Sequence, residues 1–375
     1  MSGERGEGPS EYAQFVDYTQ MQRFKDMMAE VGRQTCDFSL RRGVEVLYGY
    51  RAVYWRYTGT RPHVFRGPLL EGLGNKSWIA EWMYQFGDGQ SHFDTIAQDL
   101  AMMGVGDSLP ALPFAYANEV TPRNSEWFAD AARAADYARG THEVCDLCSM
   151  TLVGGESPNY KFLVQAAPPV GDAPVMSCAV VSILPNPSLN AITPDRLRGG
   201  LSIVAAASSG LHSNGISLVI SRAMEQPDQF MTLLPNGNTL GAEALIPTMS
   251  YVKLVEAIQE AEIELAGILP ATGDGIAKLA ADPRSFTYRV HTWWEELPPL
   301  MQYMLDIGVS LQTCVTTFNM GAGIFLFVAP SRVDWLIEVG TAAGYDMLEV
   351  GRVEDGERMT IAEPFDGLKL PPPVE

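Results

Sequence analysis

The sequence has few cations: 26 Lys and Arg stand against 45 Asp and Glu, a net charge of −19 over 375 residues. A nucleic-acid groove or an anionic membrane surface needs a positive field, so neither is an expected partner. Long apolar runs are also lacking. Gly321 to Pro330, the longest, is about ten residues, half of what a membrane span takes. The first residues hold no apolar core of the secretory kind. Cysteine is scarce and odd in number, five in all. That fits reduced thiols and a cytoplasmic location better than a disulfide framework. Cys145 and Cys148 form a lone CxxC. Trp127, Ala131, Ala134 and Ala138 lead up to it at helical spacing, so it reads as a buried helix face rather than a metal or redox pair. No Walker A pattern is present, which argues against a P-loop fold.

Apolar residues make up 46% of the chain and charged residues 19%, enough for a sizeable core in two domains. Residues 1–10 read as a flexible tail, 11–185 as an N-terminal domain and 186–375 as a C-terminal one. The boundary is set at the Pro-, Asn- and Gly-rich stretch from Pro185 to Gly200. Alternating residues over 44–70 predict strands, as do Leu112 to Ala117, Met150 to Val153, Lys161 to Ala166 and Val175 to Leu184. Helical spacing runs from Ser91 to Asp107 and from Asn124 to Cys148. The second half predicts strands at Leu201 to Ala206, Phe286 to His291, Gly323 to Val328 and Asp346 to Val353. Helices are expected from Asn214, over Thr248 to Glu262, Gly275 to Ala281 and Arg332 to Ala343. Each half is α+β.

The densest chemical signal is Ser208-Ser209-Gly210-Leu211-His212-Ser213-Asn214-Gly215. A strand feeds a turn of small polar residues and a helix follows, a geometry that aims free N–H groups at one point and suits a phosphate. His212 can donate to an oxyanion or move a proton; the plainer reading is a polar capping turn. A second constellation is acidic. Glu71-Gly72-Leu73-Gly74-Asn75-Lys76 sets a carboxylate and a lysine around a Gly-rich turn. Asp99 and Asp107 bracket a helical segment, and Gly154-Gly155-Glu156 follows a strand. Carboxylates at the ends of different elements can hold Mg²⁺ against a nucleotide's phosphates. Asp94, outside any motif, reads as a solvated carboxylate.

In this order the pieces resemble aminoimidazole ribonucleotide synthetase, the phosphoribosylformylglycinamidine cyclo-ligase (PurM) family. Glu11-Tyr12 and Val16-Asp17 sit like its opening Ser-Tyr-x-x-x-Val-Asp. Glu71 to Lys76 resembles its Asp-Gly-Val-Gly-Thr-Lys, and Asp99 to Asp107 its Asp-Leu-x-x-Met-x-Val-Asn-Asp. Val153 to Ser157 resembles Val-Gly-Gly-Glu-Thr, and Ser208 to Val219 follows Ser-Ser-Gly-x-His-Ser-Asn-Gly-x-Ser-Leu-Val. Pro247-Thr248 with Tyr251-Val252-Lys253, and Phe318-Asn319-Met320-Gly321, complete the series. The likeness runs over about residues 11–357.

The departures are Glu71 for Asp, Gly106 for Asn, a shorter loop after Asp107, and Pro270-Ala271-Thr272-Gly273-Asp274-Gly275 for His-Ile-Thr-Gly-Gly-Gly. Asp274 resembles the Ser-Asp-Gly of thiamine-phosphate kinases. It reads either as an extra metal ligand or as an acidic residue at a helix start.

The resemblance implies a two-domain PurM-like ATP-binding fold. The N-terminal strands would form a dimer-interface barrel, with Tyr48, Tyr50, Tyr54 and Trp55 at the junction, and the C-terminal half an α/β sandwich. It implies an enzyme of purine biosynthesis that uses ATP and Mg²⁺ to phosphorylate the formamide oxygen of formylglycinamidine ribonucleotide and close the imidazole ring. Catalytic residues would be His212, Glu71 and Asp99. Lys25, Gly72, Gly74, Lys76, Gly154, Gly155, Glu156, Ser209, Gly210, Ser213 and Asn214 would bind ATP or phosphate. Glu71, Asp99, Asp107 and Asp274 would hold the metal, and the protein would be a homodimer. The alternatives are another enzyme of the superfamily, of the thiamine-monophosphate kinase kind, or a non-catalytic nucleotide-binding paralogue. A selenophosphate synthetase would need a reactive Cys near the Gly-rich turn, and a hydrogenase-maturation protein a C-terminal Cys; this chain ends Pro-Pro-Pro-Val-Glu.

Overall fold

The computed structural model describes residues 18–49, 52–188 and 194–373. The expected tail, the motif at Glu11-Tyr12 and Val16-Asp17, Tyr50 and the Tyr48 side chain lie outside what is described. Helix α1 (Tyr18–Thr35) leads into a ribbon of β1 (Val44–Gly49) and β2 (Ala52–Tyr57), then β3 (His63–Gly72), α2 (Lys76–Phe86) and α3 (Phe93–Ser108). Next come β4 (Leu112–Thr121), α4 (Glu126–Ala129), α5 (Ala131–Cys148), β5 (Thr151–Glu156) and β6 (Val175–Pro185). The expected single helix from Asn124 to Cys148 breaks at Asp130. Its carboxylate accepts from the Ala132 and Arg133 N–H groups and caps α5. The predicted strand over Lys161 to Ala166 is a turn and irregular chain.

Strands β3, β6, β4 and β5 form one sheet in that order; β4 and β5 are parallel, and β6 is antiparallel to β3 and β4. Helices α3 and α5 cover one face, and α1 packs on α5 and β5. Cys145 and Cys148 sit on the inner face of α5, fully buried, and burial pushes the Cys148 thiol up to about 12. Ala131, expected on that face, is exposed.

The expected barrel is not there. Among the described residues the sheet is open: β3 pairs only with β6, β5 only with β4, and the β1–β2 ribbon only with itself. Four strands at ordinary twist are too few to close on themselves, and the ribbon adds no rung to either edge. On the face away from α3 and α5 the ribbon covers Phe114 and Ile183, while Phe65, Leu70 and Val175 are exposed, as are Tyr54 and Trp55 of the ribbon.

The second half supplies β7 (Ser202–Ala207), α6 (Ile216–Met224), α7 (Leu240–Ala244), α8 (Val252–Glu260) and β8 (Gly267–Pro270). A 3₁₀ segment (Gly275–Ala281) follows, then β9 (Phe286–Val290), α9 (Pro299–Asp306), α10 (Leu311–Thr317) and β10 (Ala322–Val328). The chain continues with α11 (Val333–Ala342), β11 (Met347–Asp355), β12 (Met359–Ala362) and β13 (Leu368–Leu370). The sheet order is β13-β12-β9-β11-β7-β10-β8. Strand β10, between β7 and the edge strand β8, is buried at every position, which explains the apolar run at Gly321 to Pro330.

Candidate functional site

Strands β3, β4 and β5 point the same way and finish together, so one end of the first sheet collects their last residues. In register across it lie Glu71, Cys178, Asn118 and Gly155, and beside them Gly72, Ser177, Glu119 and Glu156. Each strand gap is about 4.8 Å, so each row spans roughly 14 Å. Gly154 and Gly155 leave the end of β5 bare; a Cβ on Gly155 would come 3.0 Å from Asn118 Oδ1. Between this strand and α1 opens a cavity of about 680 Å³. Lys25, Gly154, Gly155 and Glu156 line it together, along with Phe24 and Asn118.

The Gly-rich turn leads elsewhere. Gly74 has φ 72°, a conformation open to glycine, and delivers the chain into α2 with Lys76 pointing inward. Lys76 is fully buried. Its Nζ meets Asp99 Oδ2 at 2.7 Å and donates to the His212 carbonyl at 2.9 Å and the Ile246 carbonyl at 3.2 Å. Asp99 Oδ1 in turn accepts from the Thr248 N–H at 2.8 Å and its hydroxyl at 2.5 Å. Burial draws Lys76 down and Asp99 up, and their mutual attraction opposes both. The ammonium's donors are all placed, one of them against the carboxylate. The expected phosphate contact of Lys76 and metal contact of Asp99 thus fall on a closed ion pair that ties the two halves together.

The turn from Ser208 to Asn214 is held by groups from the motifs that resemble the same family. Asn319 Nδ2 donates to the Gly210 carbonyl at 2.9 Å and the Leu211 carbonyl at 3.3 Å. Ser209 Oγ donates to the Pro247 carbonyl at 2.7 Å and accepts from the Met249 N–H at 3.1 Å. Tyr251 donates to the Ala207 carbonyl at 2.8 Å, and its ring crosses Gly323 so closely that a Cβ there would lie 1.5 Å from the hydroxyl. His212 is buried with φ 60°, and its Nε2 accepts from the Ser209 N–H at 3.3 Å. Burial, then the Lys76 charge, depress its pKa to about 3, so the ring is neutral at pH 7. A neutral ring whose Nε2 accepts carries its proton on Nδ1. Asn214 Oδ1 accepts from the Gly273 N–H at 3.0 Å, and Ser213 Oγ is buried without a partner. Gly210 adopts φ 150° beside Ile246.

A second charged group gathers Glu71, Asp107, Asp274 and Lys278. Burial and the Asp107 charge raise the Glu71 carboxyl, and Lys278 opposes them. Lys278 is drawn down by burial and held up by Asp107, Asp274 and Glu71. None of the three carboxylates lies within ion-pair distance of Lys278, whose Nζ donates instead to the Thr272 hydroxyl. Asp107 Oδ1 is buried with no hydrogen-bond partner. Asp274 sits at φ 68° ahead of the 3₁₀ segment, which Gly275 fixes: a Cβ there would lie 2.3 Å from the Val315 carbonyl.

Glu71, Asp107 and Asp274 are thus brought together, and Asp99 is held apart from them with Lys76. Among the described residues no three His, Cys, Asp or Glu side chains form a group that could hold a metal ion. Two carboxylates with an orphaned oxygen still suit Mg²⁺, which takes few protein ligands when phosphates complete its shell. Sequence reasoning missed Lys278, Asn118 and Glu119. The available signals were the four-residue spacing from Asp274 to Lys278 and the polar interruption of the apolar run in β4.

Comparison with known proteins agrees with this architecture. Residues 198–362 match the family model "AIR synthase related protein, C-terminal domain". Phosphoribosylformylglycinamidine cyclo-ligase of Carboxydothermus hydrogenoformans is 29% identical over 298 residues, 78% of this chain and 81% of that one. The Lachnospira eligens enzyme is 29% identical over 232 residues, 60% of this chain; the match spans 65% of its own length. Among solved structures, thiamine-monophosphate kinase from Stenotrophomonas maltophilia aligns with TM-score 0.57 and 16% identity, covering 92% of this chain and 96% of its own. Hydrogenase maturation protein HypE in complex with ATP aligns with TM-score 0.54 and 13% identity, covering 85% and 88%. At these identities the structures speak for the fold alone. The chain shares the two-domain α+β fold of these structures.

Proposed function

We propose that the protein is an ATP-dependent enzyme that transfers the γ-phosphoryl group to an oxygen of a small substrate. The finer reading is ring closure of formylglycinamidine ribonucleotide to aminoimidazole ribonucleotide, with release of ADP and phosphate. The observation that carries it is the turn at His212. The stretches from Ser208, Pro247 and Phe318, each resembling the cyclo-ligases, interlock there through Asn319 and Ser209. The 29% identity to two such enzymes supports the same choice.

In this reading Lys25, Gly154, Gly155 and Glu156 hold the nucleotide in the cavity beside α1. Glu71 and Asp107 are the residues that would hold Mg²⁺, with Asp274 as a further carboxylate and Lys278 as a cation toward the phosphates. The metal, when bound, neutralises charge on the transferred phosphoryl group. His212, neutral with Nδ1–H, donates to the formamide oxygen and orients it for attack on the γ-phosphorus. Ser213 and Asn214 orient the substrate phosphate, and the closed turn keeps the two reacting ends together. Lys76 and Asp99 position the His212 backbone rather than touch substrate. The exposed Phe65, Leu70 and Trp55 suit a homodimer contact.

A second reading, a kinase of the thiamine-monophosphate type, is favoured by Asp274-Gly275. One assay separates them. Purified protein with Mg²⁺ and ATP is given either formylglycinamidine ribonucleotide or thiamine monophosphate, and ADP, free phosphate and product are followed. Equal yields of phosphate and aminoimidazole ribonucleotide establish the cyclo-ligase. Thiamine diphosphate without free phosphate establishes the kinase. ATP binding with neither product points to the non-catalytic paralogue.

A further inference from the structure

We propose that Lys278 is the resident counter-ion of Glu71, Asp107 and Asp274: it shields them from free divalent metal and yields them to metal that arrives on nucleotide phosphates. This rests on the nucleotide and metal reading above. The three carboxylates come from three places in the chain: the end of β3, the last turn of α3 and the residue ahead of the 3₁₀ segment. Lys278 stands on that segment, four residues after Asp274. All three carboxylates act on its charge. The Asp107 charge works against that of Glu71, and Lys278 is the cation that opposes it.

The root of this side chain is fixed and its tip is not. Gly275 lies so close to the Val315 and Phe318 carbonyls that a Cβ would collide with both, and Ile276, Ala277, Leu279 and Ala280 are buried. The Lys278 Nζ, by contrast, donates to the Thr272 hydroxyl and forms no ion pair among the described residues. An ammonium locked on a carboxylate, as Lys76 is on Asp99, could leave only by stranding a buried charge. Lys278 has a flexible four-carbon stem and a hydroxyl partner, so it can turn away at the cost of one modest hydrogen bond. What it turns toward decides which metal enters. A bare divalent ion meets the repulsion of the ammonium, with nothing to draw that ammonium off. A metal carried on a triphosphate brings anionic oxygens that accept from Lys278 as the carboxylates are released.

The test is calorimetric titration of Mn²⁺ into the full-length protein, without nucleotide and with saturating AMP-PNP. In the unmodified protein Mn²⁺ is expected to bind about tenfold more tightly when AMP-PNP is present. Without nucleotide, Lys278→Met and Lys278→Gln are expected to bind Mn²⁺ about tenfold more tightly than the parent, and Lys278→Arg to bind it like the parent. Adding Glu71→Gln to Lys278→Met should abolish that gain. The proposal is overturned if the unmodified protein binds Mn²⁺ equally with and without AMP-PNP. It is also overturned if Lys278→Met and Lys278→Gln both stay within about twofold of the parent, or if the gain survives Glu71→Gln. If the Mn²⁺ results hold but neither substrate turns over, only the reaction proposed above fails. If AMP-PNP does not bind, the nucleotide reading falls and this one with it.

Discussion

Two lysine–carboxylate groups stand at the junction of the halves, and they have opposite characters. Lys76 and Asp99 touch, are fully buried, and satisfy one another with help from Thr248 and two carbonyls. Lys278 faces Glu71, Asp107 and Asp274 without an ion pair to any of them, and Asp107 keeps an unpartnered oxygen. The first group is closed and acts on structure. The second is open and has charge to offer a ligand. Residue type does not distinguish them; the number of acceptors and donors that tertiary packing delivers to each does.

The contrast breaks most visibly at the closed pair. Lys76→Met should leave Asp99 buried with its cation gone and cost about 3–5 kcal/mol, read as a large fall in the urea midpoint. Lys76→Met with Asp99→Leu should recover much of that loss. Equal destabilisation of the double and single variants would show that the pair is not the source.

At the open group the outcome should invert. Glu71→Gln and Asp107→Asn are expected to slow ATP-dependent turnover by about 100-fold and leave Tm within a few degrees. Because the Glu71 carboxyl is raised in the fold, its charge weakens stability as pH climbs above its ordinary range near 4.5. Glu71→Gln should therefore equal or exceed the parent at pH 7. A marked drop in Tm would make this group structural, like the first.

His212 sharpens the comparison through pH. Its folded pKa of about 3 lies below the ordinary 6.5, so the unfolded chain takes up a proton more readily. Stability on this account is full above pH 6.5 and falls as pH drops toward 3, by about 1.4 kcal/mol per unit. His212→Asn should flatten that slope in denaturant titrations from pH 7 to 4. The smallest effect concerns thiols. Cys145 and Cys148 are fully buried and raised by burial, so a native-state thiol reagent should leave both unmodified over minutes. Rapid modification would mean that α5 opens.

Much of the local structure was legible. Alternation over 44–70 corresponds to β1, β2 and β3, and the helical spacing before Asp107 to α3. Other parts were not. Leu240–Ala244 and Leu311–Thr317 are helices of one or two turns, too short for periodicity to accumulate. The Lys161 to Ala166 run has strand-like residues but pairs with no strand among the described residues. Asn124 to Cys148 has continuous helical spacing, yet the Asp130 cap divides it. At the site, the turn around His212 could be read because its Gly and Asn positions answer to local backbone needs. Lys278 could not, because nothing within its own segment refers to Glu71 or Asp107.

The sequence by itself determined the period of the longer elements, the lack of a helix able to span a membrane among the described residues, and the turns where glycine is required. These follow from steric and hydrophobic rules that act within a few residues of chain. Only the tertiary structure decided that β3 to β6 stay an open sheet, that Lys76 is enclosed, and that Lys278 feels the charge of three carboxylates without pairing to any of them. Strand closure, burial and charge pairing each depend on residues far apart in the chain, and their energies appear only once both partners are in place.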